Sequence, residues 1–172
     1  MTNTLTKEDI SELPNLNGDA IKTYLSLAET RLIDALAIKK ELDQKAFILL
    51  AGYIPAALTL FGLSEKLPDI EFWLNITGLI FCLGVIPIFL SLKASDYGTL
   101  GRHAQDWLGN SAYITASDNQ MKLINAYLLH DHITRLDTSD ESNDKKASFL
   151  NIAILLGMLS LIPFAIKFLF SL

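Results

Sequence analysis

Three long segments without a charged residue constrain this chain more than any other feature of its sequence. They cover residues 46–63, 72–92 and 147–166. As α-helices these segments would be roughly 27–32 Å long, which matches the hydrocarbon thickness of a bilayer. Helices buried in a soluble bundle are the alternative, but such helices almost always carry a polar stripe that these segments lack. We therefore predict an all-α integral membrane protein with three transmembrane helices and long helical cytoplasmic extensions.

The distribution of lysine and arginine predicts how the three spans are oriented. Basic residues are concentrated in 1–45 and 93–146, whereas the loop between the first two spans holds only Lys66. Because cationic flanks stay on the cytoplasmic side of a membrane, we expect the N-terminus inside and the C-terminus outside. Residues 1–45 also lack the pattern of a cleavable signal peptide, so the first span is expected to act as the targeting signal.

The spans divide the chain into five segments. These are a polar tail at 1–17, a cytoplasmic helix at 18–45, a transmembrane hairpin at 46–92, a cytoplasmic loop and helix at 93–146, and a third transmembrane helix at 147–172. Apolar residues recur at steps of three and four from Ile21 to Leu42, so the first cytoplasmic helix should continue into the first span. Its apolar stripe needs a cover, which either the helix at 119–140 or another subunit must provide.

The sequence offers little catalytic or metal-binding chemistry. His130 and His132 are two residues apart on a predicted helix, whereas metal ligands on a helix are three or four apart. Cys82 is the single cysteine, which excludes disulfides within the chain. We therefore predict no enzyme activity, no cofactor and no metal site. A net charge of −5 without a long basic run argues against nucleic acid as a partner.

One cluster in the predicted cytoplasmic loop is a candidate ligand site. Arg102 and His103 lie close in sequence to Trp107, and this combination is suited to an anionic ligand. A turn with a purely structural role is the alternative.

Small and polar residues within the spans predict close helix packing. Small residues occur four apart in every span, and the pairs are Gly52 and Ala56, Gly78 and Cys82, and Ala153 and Gly157. Such pairs let helices approach closely in lipid, and three helices alone bury little surface, so we expect a homo-oligomer. The polar residues that suit hydrogen bonds between helices are Thr59, Asn75, Thr77, Asn151 and Ser160, and lining a water-filled path is an equal alternative for Asn75 or Asn151.

Each span also contains a proline. The three are Pro55, Pro87 and Pro163, and each lies three residues after a glycine or serine. Proline removes one backbone hydrogen bond and frees the carbonyl four residues earlier, which needs another partner in lipid. Either these prolines reflect only the higher frequency of proline in membrane helices, or they are hinges in a bundle with two packings.

Two similar motifs lie where cytoplasmic helices are predicted to reach the bilayer. The sequence DQKA at 43–46 opens the first span, and DKKA at 144–147 opens the third. Lys45 and Lys146 are predicted to anchor the helices at the lipid head groups, while the following alanine starts the apolar segment. An internal repeat and two unrelated charged interfaces are both open as explanations.

These motifs and the topology resemble a known group of proteins. A cytoplasmic helix ending in DQKAFILL enters a membrane hairpin, a segment with GRHAQDWL follows, and a long helix contains NDKKASFLNIAILL. Over about residues 20–172 this arrangement resembles the small transmembrane effectors of bacterial anti-phage signalling, the Pycsar transmembrane effector and the related SLATT families. The matching residues are Asp43, Lys45, Ala46, Asn143, Lys146 and Ala147. The chain differs from them in having no recognisable nucleotide sensor.

The resemblance implies a protein of the bacterial inner membrane that oligomerises and breaches that membrane when a nucleotide second messenger appears. Our first hypothesis is a non-enzymatic defence effector of this kind, triggered by such a nucleotide or by a partner protein. The second is a membrane scaffold that recruits a soluble partner protein through the helices at 20–45 and 119–140. A third, an enzyme acting on lipids, is disfavoured by the lack of catalytic residues.

Overall fold

The fold is entirely helical in the part of the chain that the structure, a computed structural model, describes: residues 18–94 and 118–169. Its elements are α1 (Gly18–Ser64), a 3₁₀-helix (Pro68–Ile70), α2 (Glu71–Lys93), α3 (Asp118–Leu159) and α4 (Ile162–Leu169). No residue in the two described ranges belongs to a strand. Three regions, Gly18–Ser64, Pro68–Lys93 and Leu128–Leu169, are long and apolar enough to cross a membrane. The prediction of an all-α fold with three such helices is confirmed.

Helices α1 and α2 continue through their prolines, whereas the third apolar segment is broken. Helix α3 ends at Leu159, a two-residue turn follows, and α4 begins at Ile162. Pro163 is therefore the second residue of a new helix, where its missing N–H would have had no helical partner anyway. The sequence predicted one helix over 147–172. The structure differs because the turn allows Pro163 to start a helix rather than interrupt one.

The chain divides into two compact units. Unit 1 comprises Met1–Ala37 and Asp96–Glu141, and unit 2 comprises Ile38–Ser95 and Ser142–Leu172. In unit 1 the core is formed by α1 and α3, and its members are Ile21, Ala28, Ala126, Leu129 and Ile133. Helix α3 thus covers the apolar stripe of α1 there, which is the first of the two alternatives that the sequence left open.

Unit 2 contains the core of the apolar helices. Its buried residues come from α1, α2 and α3, and they are Ala46, Tyr53, Ile88, Leu150 and Ala153. Outside this core the apolar helices are poorly covered by the protein itself. Only 17% of the most apolar window in Gly18–Ser64 is buried, and Ile48 and Leu58 are 71% and 67% exposed. An apolar surface of this extent requires lipid or another protein around it.

Buried positions recur at multiples of seven residues in both long helices. In α1 they are Ile21, Ala28 and Ala35, together with Leu32, Ala46 and Tyr53. In α3 they are Leu129, Leu136, Asn143 and Leu150, together with His132, Ser139, Lys146 and Ala153, and the second series continues to Ser160 in the turn after α3. A seven-residue repeat is typical of helices that pack knobs into holes at 3.5 residues per turn. Four of these eight α3 positions are polar, so α3 carries polar groups into its packed face.

Candidate functional site

A buried ion pair joins α1 and α3 in unit 2. The Nζ atom of Lys146 donates a hydrogen bond to Oδ1 of Asp43. The Lys146 side chain is 1% exposed, and the Asp43 side chain is 29% exposed. Taking two charges out of water costs several kcal/mol per ion, so such a pair persists only where the geometry and further hydrogen bonds compensate.

The local helix register explains why these two side chains meet. Asp43 lies three residues before Ala46, and Lys146 lies four residues before Leu150. Ala46 and Leu150 belong to the same apolar cluster, so α1 and α3 are in contact at this level. Residues three or four apart share one helix face, which places Asp43 and Lys146 at the same contact, one turn away from the cluster.

The two predicted anchors, Lys45 and Lys146, have different surroundings. The Lys45 side chain is 57% exposed and pairs with Glu41 of the same helix, with 2.7 Å between Nζ and Oε1. Its hydrogen bond and its charge lower the pKa of Glu41. Lys146 is buried against Asp43 instead, so its ammonium does not face the surroundings of the protein. Of the two predicted anchors, Lys45 is therefore the exposed one.

A second contact between helices is made by Tyr53, which sequence reasoning did not single out. Its hydroxyl donates a 2.7 Å hydrogen bond to the backbone oxygen of Ala153, and its ring packs edge-on against Phe81 at 5.1 Å. Two glycines make room for the ring. A Cβ atom at Gly84 would lie 2.5 Å from the ring, and one at Gly157 would collide with the hydroxyl. Tyr53 thus joins α1 to α2 and α3 at positions where only glycine fits.

The predicted packing residues separate into two groups. The inner group contains Gly78 and Ala153, which are buried, and Gly157, which packs against Tyr53. A Cβ at Gly78 would meet the Phe61 ring at 2.9 Å. Ala56 is half-buried. The exposed members are Gly52, around which nothing lies within 4 Å, and Cys82. Four-residue spacing alone therefore did not distinguish the inner face of a span from its outer face.

Three span hydroxyls bond to their own helices, not to neighbouring ones. Thr59 donates to the oxygen of Pro55 at 2.8 Å, Thr77 to that of Trp73 at 2.9 Å, and Ser160 to that of Gly157 at 2.6 Å. The expectation of hydrogen bonds between helices is wrong for these three residues. Because their hydroxyl hydrogens are engaged, the groove of about 330 Å³ that they help to line between the spans is apolar in character.

The three predicted hinge prolines also differ. Pro55 is exposed within the uninterrupted α1, Pro87 is buried within the uninterrupted α2, and Pro163 is buried just after the turn between α3 and α4. A break in the helix accompanies only Pro163. Whether any of the three acts as a hinge stays a prediction, with Pro163 the best placed.

The remaining candidate residues are the histidines and the predicted ligand residues. His130 is exposed, whereas His132 is buried with its Nδ1 atom 2.8 Å from the oxygen of Leu128. Within residues 18–94 and 118–169, no three His, Cys, Asp or Glu side chains are grouped to hold a metal ion. The candidate ligand residues Arg102, His103 and Trp107 lie outside the described residues.

The sequence contains a signal for the buried pair that was not used. Lys146 and Ala153 stand in one series of seven-residue steps, and Asn143 and Leu150 stand in another. A lysine within such a series is predicted to be buried in the contact between helices, where it needs an acidic partner.

No family model, curated protein or solved structure matches the chain. The resemblance to the anti-phage effectors stays a prediction.

Proposed function

We propose that the chain is a non-enzymatic effector of bacterial anti-phage defence that oligomerises in the inner membrane and permeabilises it. A nucleotide or a partner protein is the signal. Its N-terminus and the 93–146 region face the cytoplasm, and its C-terminus lies outside. The buried Asp43–Lys146 pair is the observation that carries this proposal.

The pair supports a bundle with two packings. A protein that needs only an anchor gains nothing from a buried charge pair, because well-packed apolar residues of similar volume are often equally or more stable. A charged pair can instead hold a closed arrangement and separate when water enters, since each charge recovers its hydration.

The polar residues of α3 give the open arrangement a surface that water can wet. Asn143, Lys146 and Ser160 are all buried in unit 2; Asn143 and Lys146 lie on α3, and Ser160 follows in the turn after it, two seven-residue steps beyond Lys146. Separation of α3 from its neighbours would expose these groups together. If the packing faces of the spans were entirely apolar, their separation would expose no polar groups for water to wet.

The proposal is tested with the purified protein in liposomes that contain a self-quenching dye. Asp43→Ala should release dye without any signal, because it removes the partner that holds Lys146 in the closed arrangement. Asp144→Ala is the matched control, since Asp144 occupies the same position in the second motif but is exposed. Induction of the Asp43→Ala variant in bacteria should likewise depolarise the cells, as a potential-sensitive dye would report.

Two outcomes would overturn the proposal. One is that the liposomes stay sealed with folded Asp43→Ala, with the fold verified by circular dichroism. The other is that bacteria expressing the wild-type chain remain polarised and growing throughout phage infection.

A second candidate function, a membrane scaffold, is favoured by unit 1. Tyr24, Leu27 and Ile33 are apolar, lie before the predicted first span and are 41%, 57% and 53% exposed. A soluble partner protein could cover them. The scaffold predicts that one cytosolic protein co-purifies with the chain, that Leu27→Ser abolishes this association, and that liposomes stay sealed.

A further inference from the structure

One buried hydroxyl in unit 2 has no role in the contacts described above. Ser91 of α2 is fully buried, and its Oγ atom has no hydrogen-bond partner among the described residues. Thr59 and Thr77 are different, because their hydroxyls bond to their own helices. A buried hydroxyl without a partner is destabilising, so it needs an explanation such as a bound water or ion.

The directions of the helices determine where Ser91 lies. Phe61 contacts Gly78 and Tyr53 contacts Gly84, so α2 runs antiparallel to α1. Ser91 comes seven residues after Gly84, which is two turns along the same face of α2. The Ser91 side chain therefore lies on the face of α2 that packs against α1.

The same face of α2 also packs against α3, close to the buried ion pair. A Cβ atom at Gly84 would lie 3.7 Å from the Cβ atom of Leu156. About two turns from this level, the three helices reach Ser91 on α2, Ala46 on α1 and Leu150 on α3. The ion pair lies one turn beyond Ala46 and Leu150, so Ser91 is within about one turn of it.

All three helices thus contribute a polar side chain near one level of unit 2. We call Asp43, Ser91 and Lys146 the polar layer. The apolar cluster that includes Ile88 and Leu150 borders this layer. In such surroundings an unpaired polar group is costly and a satisfied network is strengthened, so an arrangement that gives Ser91 a partner is favoured.

The charges of the polar layer favour water as its ligand. The Lys146 ammonium would repel a cation and the Asp43 carboxylate would repel an anion, so a neutral ligand is favoured. A carboxylate can accept about four hydrogen bonds, and Lys146 donates one of them at Oδ1. A buried water typically makes about three hydrogen bonds to polar groups that are otherwise unsatisfied. Because the Asp43 side chain is 29% exposed, water can reach the layer from outside.

We propose that the polar layer binds one buried water molecule, which bridges the Ser91 hydroxyl to the Asp43–Lys146 pair. Ser91 is thus a positioning residue that holds the ion pair through this water. The inference goes beyond the proposed function, because it concerns only the packed arrangement of α1, α2 and α3. Liposomes that stay sealed would contradict the proposed function and leave the water site unaffected. Dye release by a protein without this water would do the reverse.

A double-mutant cycle tests the bridge in the full chain, by SDS unfolding in mixed micelles. Ser91→Ala should raise the unfolding equilibrium constant about fivefold, which corresponds to one lost hydrogen bond. In the background of Asp43→Leu with Lys146→Met it should cause no further rise, since the water has lost its other partners. Thr77→Val is the matched control, because this buried α2 hydroxyl bonds to its own helix and its loss should have the same effect in both backgrounds. A stabilising Ser91→Ala, or an equal effect of Ser91→Ala in both backgrounds, would overturn the proposal.

Solid-state NMR in bilayers detects the water itself, through magnetisation transfer from water to the protein. Transfer should reach the Cβ atom of Ser91 and the Cε atom of Lys146, but not Gly84, which is packed against the Tyr53 ring. Ser91→Ala should lower the transfer to Lys146 several-fold. No transfer to Ser91 would mean that any coupling comes from a direct hydrogen bond, and unchanged transfer to Lys146 in the variant would mean access from bulk water. Either result would overturn the proposal.

Discussion

Two ion pairs link α1 to α3, one in each unit, and they differ in how far water reaches them. In unit 1, Arg31 and Asp140 lie 4.0 Å apart, with half of each side chain exposed. In unit 2, Lys146 is fully buried against Asp43. Exposed pairs contribute little because water screens the charges, whereas a buried charge that loses its partner is strongly destabilising. Both pairs join a basic side chain to an aspartate. The difference in burial therefore decides which of the two pairs the stability of the fold depends on.

The apolar contacts around the two pairs follow the same division. The core of unit 1 consists of aliphatic side chains, which can be substituted by one another as long as their total volume is preserved. Unit 2 places a tyrosine between two glycines and gives its hydroxyl a backbone partner. Such a contact accepts few other residues. We therefore expect substitutions to distinguish the two units sharply.

Removal of one partner of the buried pair should have the largest effect. Lys146→Met leaves the Asp43 carboxylate partly buried without its cation and should lower the free energy of unfolding by about 3–5 kcal/mol. Arg31→Met breaks the exposed pair and should cost about 0–1 kcal/mol. Unfolding by SDS in mixed micelles, followed by circular dichroism, measures both variants.

The double variant Asp43→Leu with Lys146→Met provides the control for this prediction. It removes both charges and should recover most of the lost stability, because apolar replacement of a buried pair is often neutral or stabilising. If Lys146→Met cost no more than Arg31→Met, the contrast between the two pairs would be wrong.

Changes at the Tyr53 contact should have an intermediate effect. Gly157→Ala forces the Tyr53 hydroxyl away from the α3 backbone and should cost about 1–3 kcal/mol, as overpacked cores do. Tyr53→Phe removes only the hydrogen bond to Ala153 and should cost about 0.6–1.7 kcal/mol. Gly52→Ala, made where space is open, is the control. The same denaturation measurement applies, and a larger loss for Gly52→Ala than for Gly157→Ala would contradict this account.

The sequence was sufficient for the spans but not for their contacts. The lack of charge and the helical periodicity predicted α1 running into the first span and α2 at 72–92, since both are local properties of the chain. The break before Pro163 was missed because a proline can either lie within a continuous helix, as in α1 and α2, or start a new helix after a turn. The local backbone decides between these two outcomes. The Asp43–Lys146 pair and Tyr53 were missed because each depends on a partner about one hundred positions away.

Disruption of the exposed pair between Glu41 and Lys45 should have the smallest effect, and it extends the contrast to pH. The hydrogen bond and the charge of Lys45 lower the pKa of Glu41. A carboxylate with a lowered pKa in the folded state stabilises the fold above its unfolded pKa, and this contribution is lost as the pH falls below about 4. Glu41→Gln should therefore leave the unfolding midpoint nearly unchanged at pH 7 and reduce its decline at acid pH. Because the pair is exposed, high salt should abolish the difference between variant and wild type. A difference that persists in high salt would show that this pair is shielded from solvent, as Lys146 is.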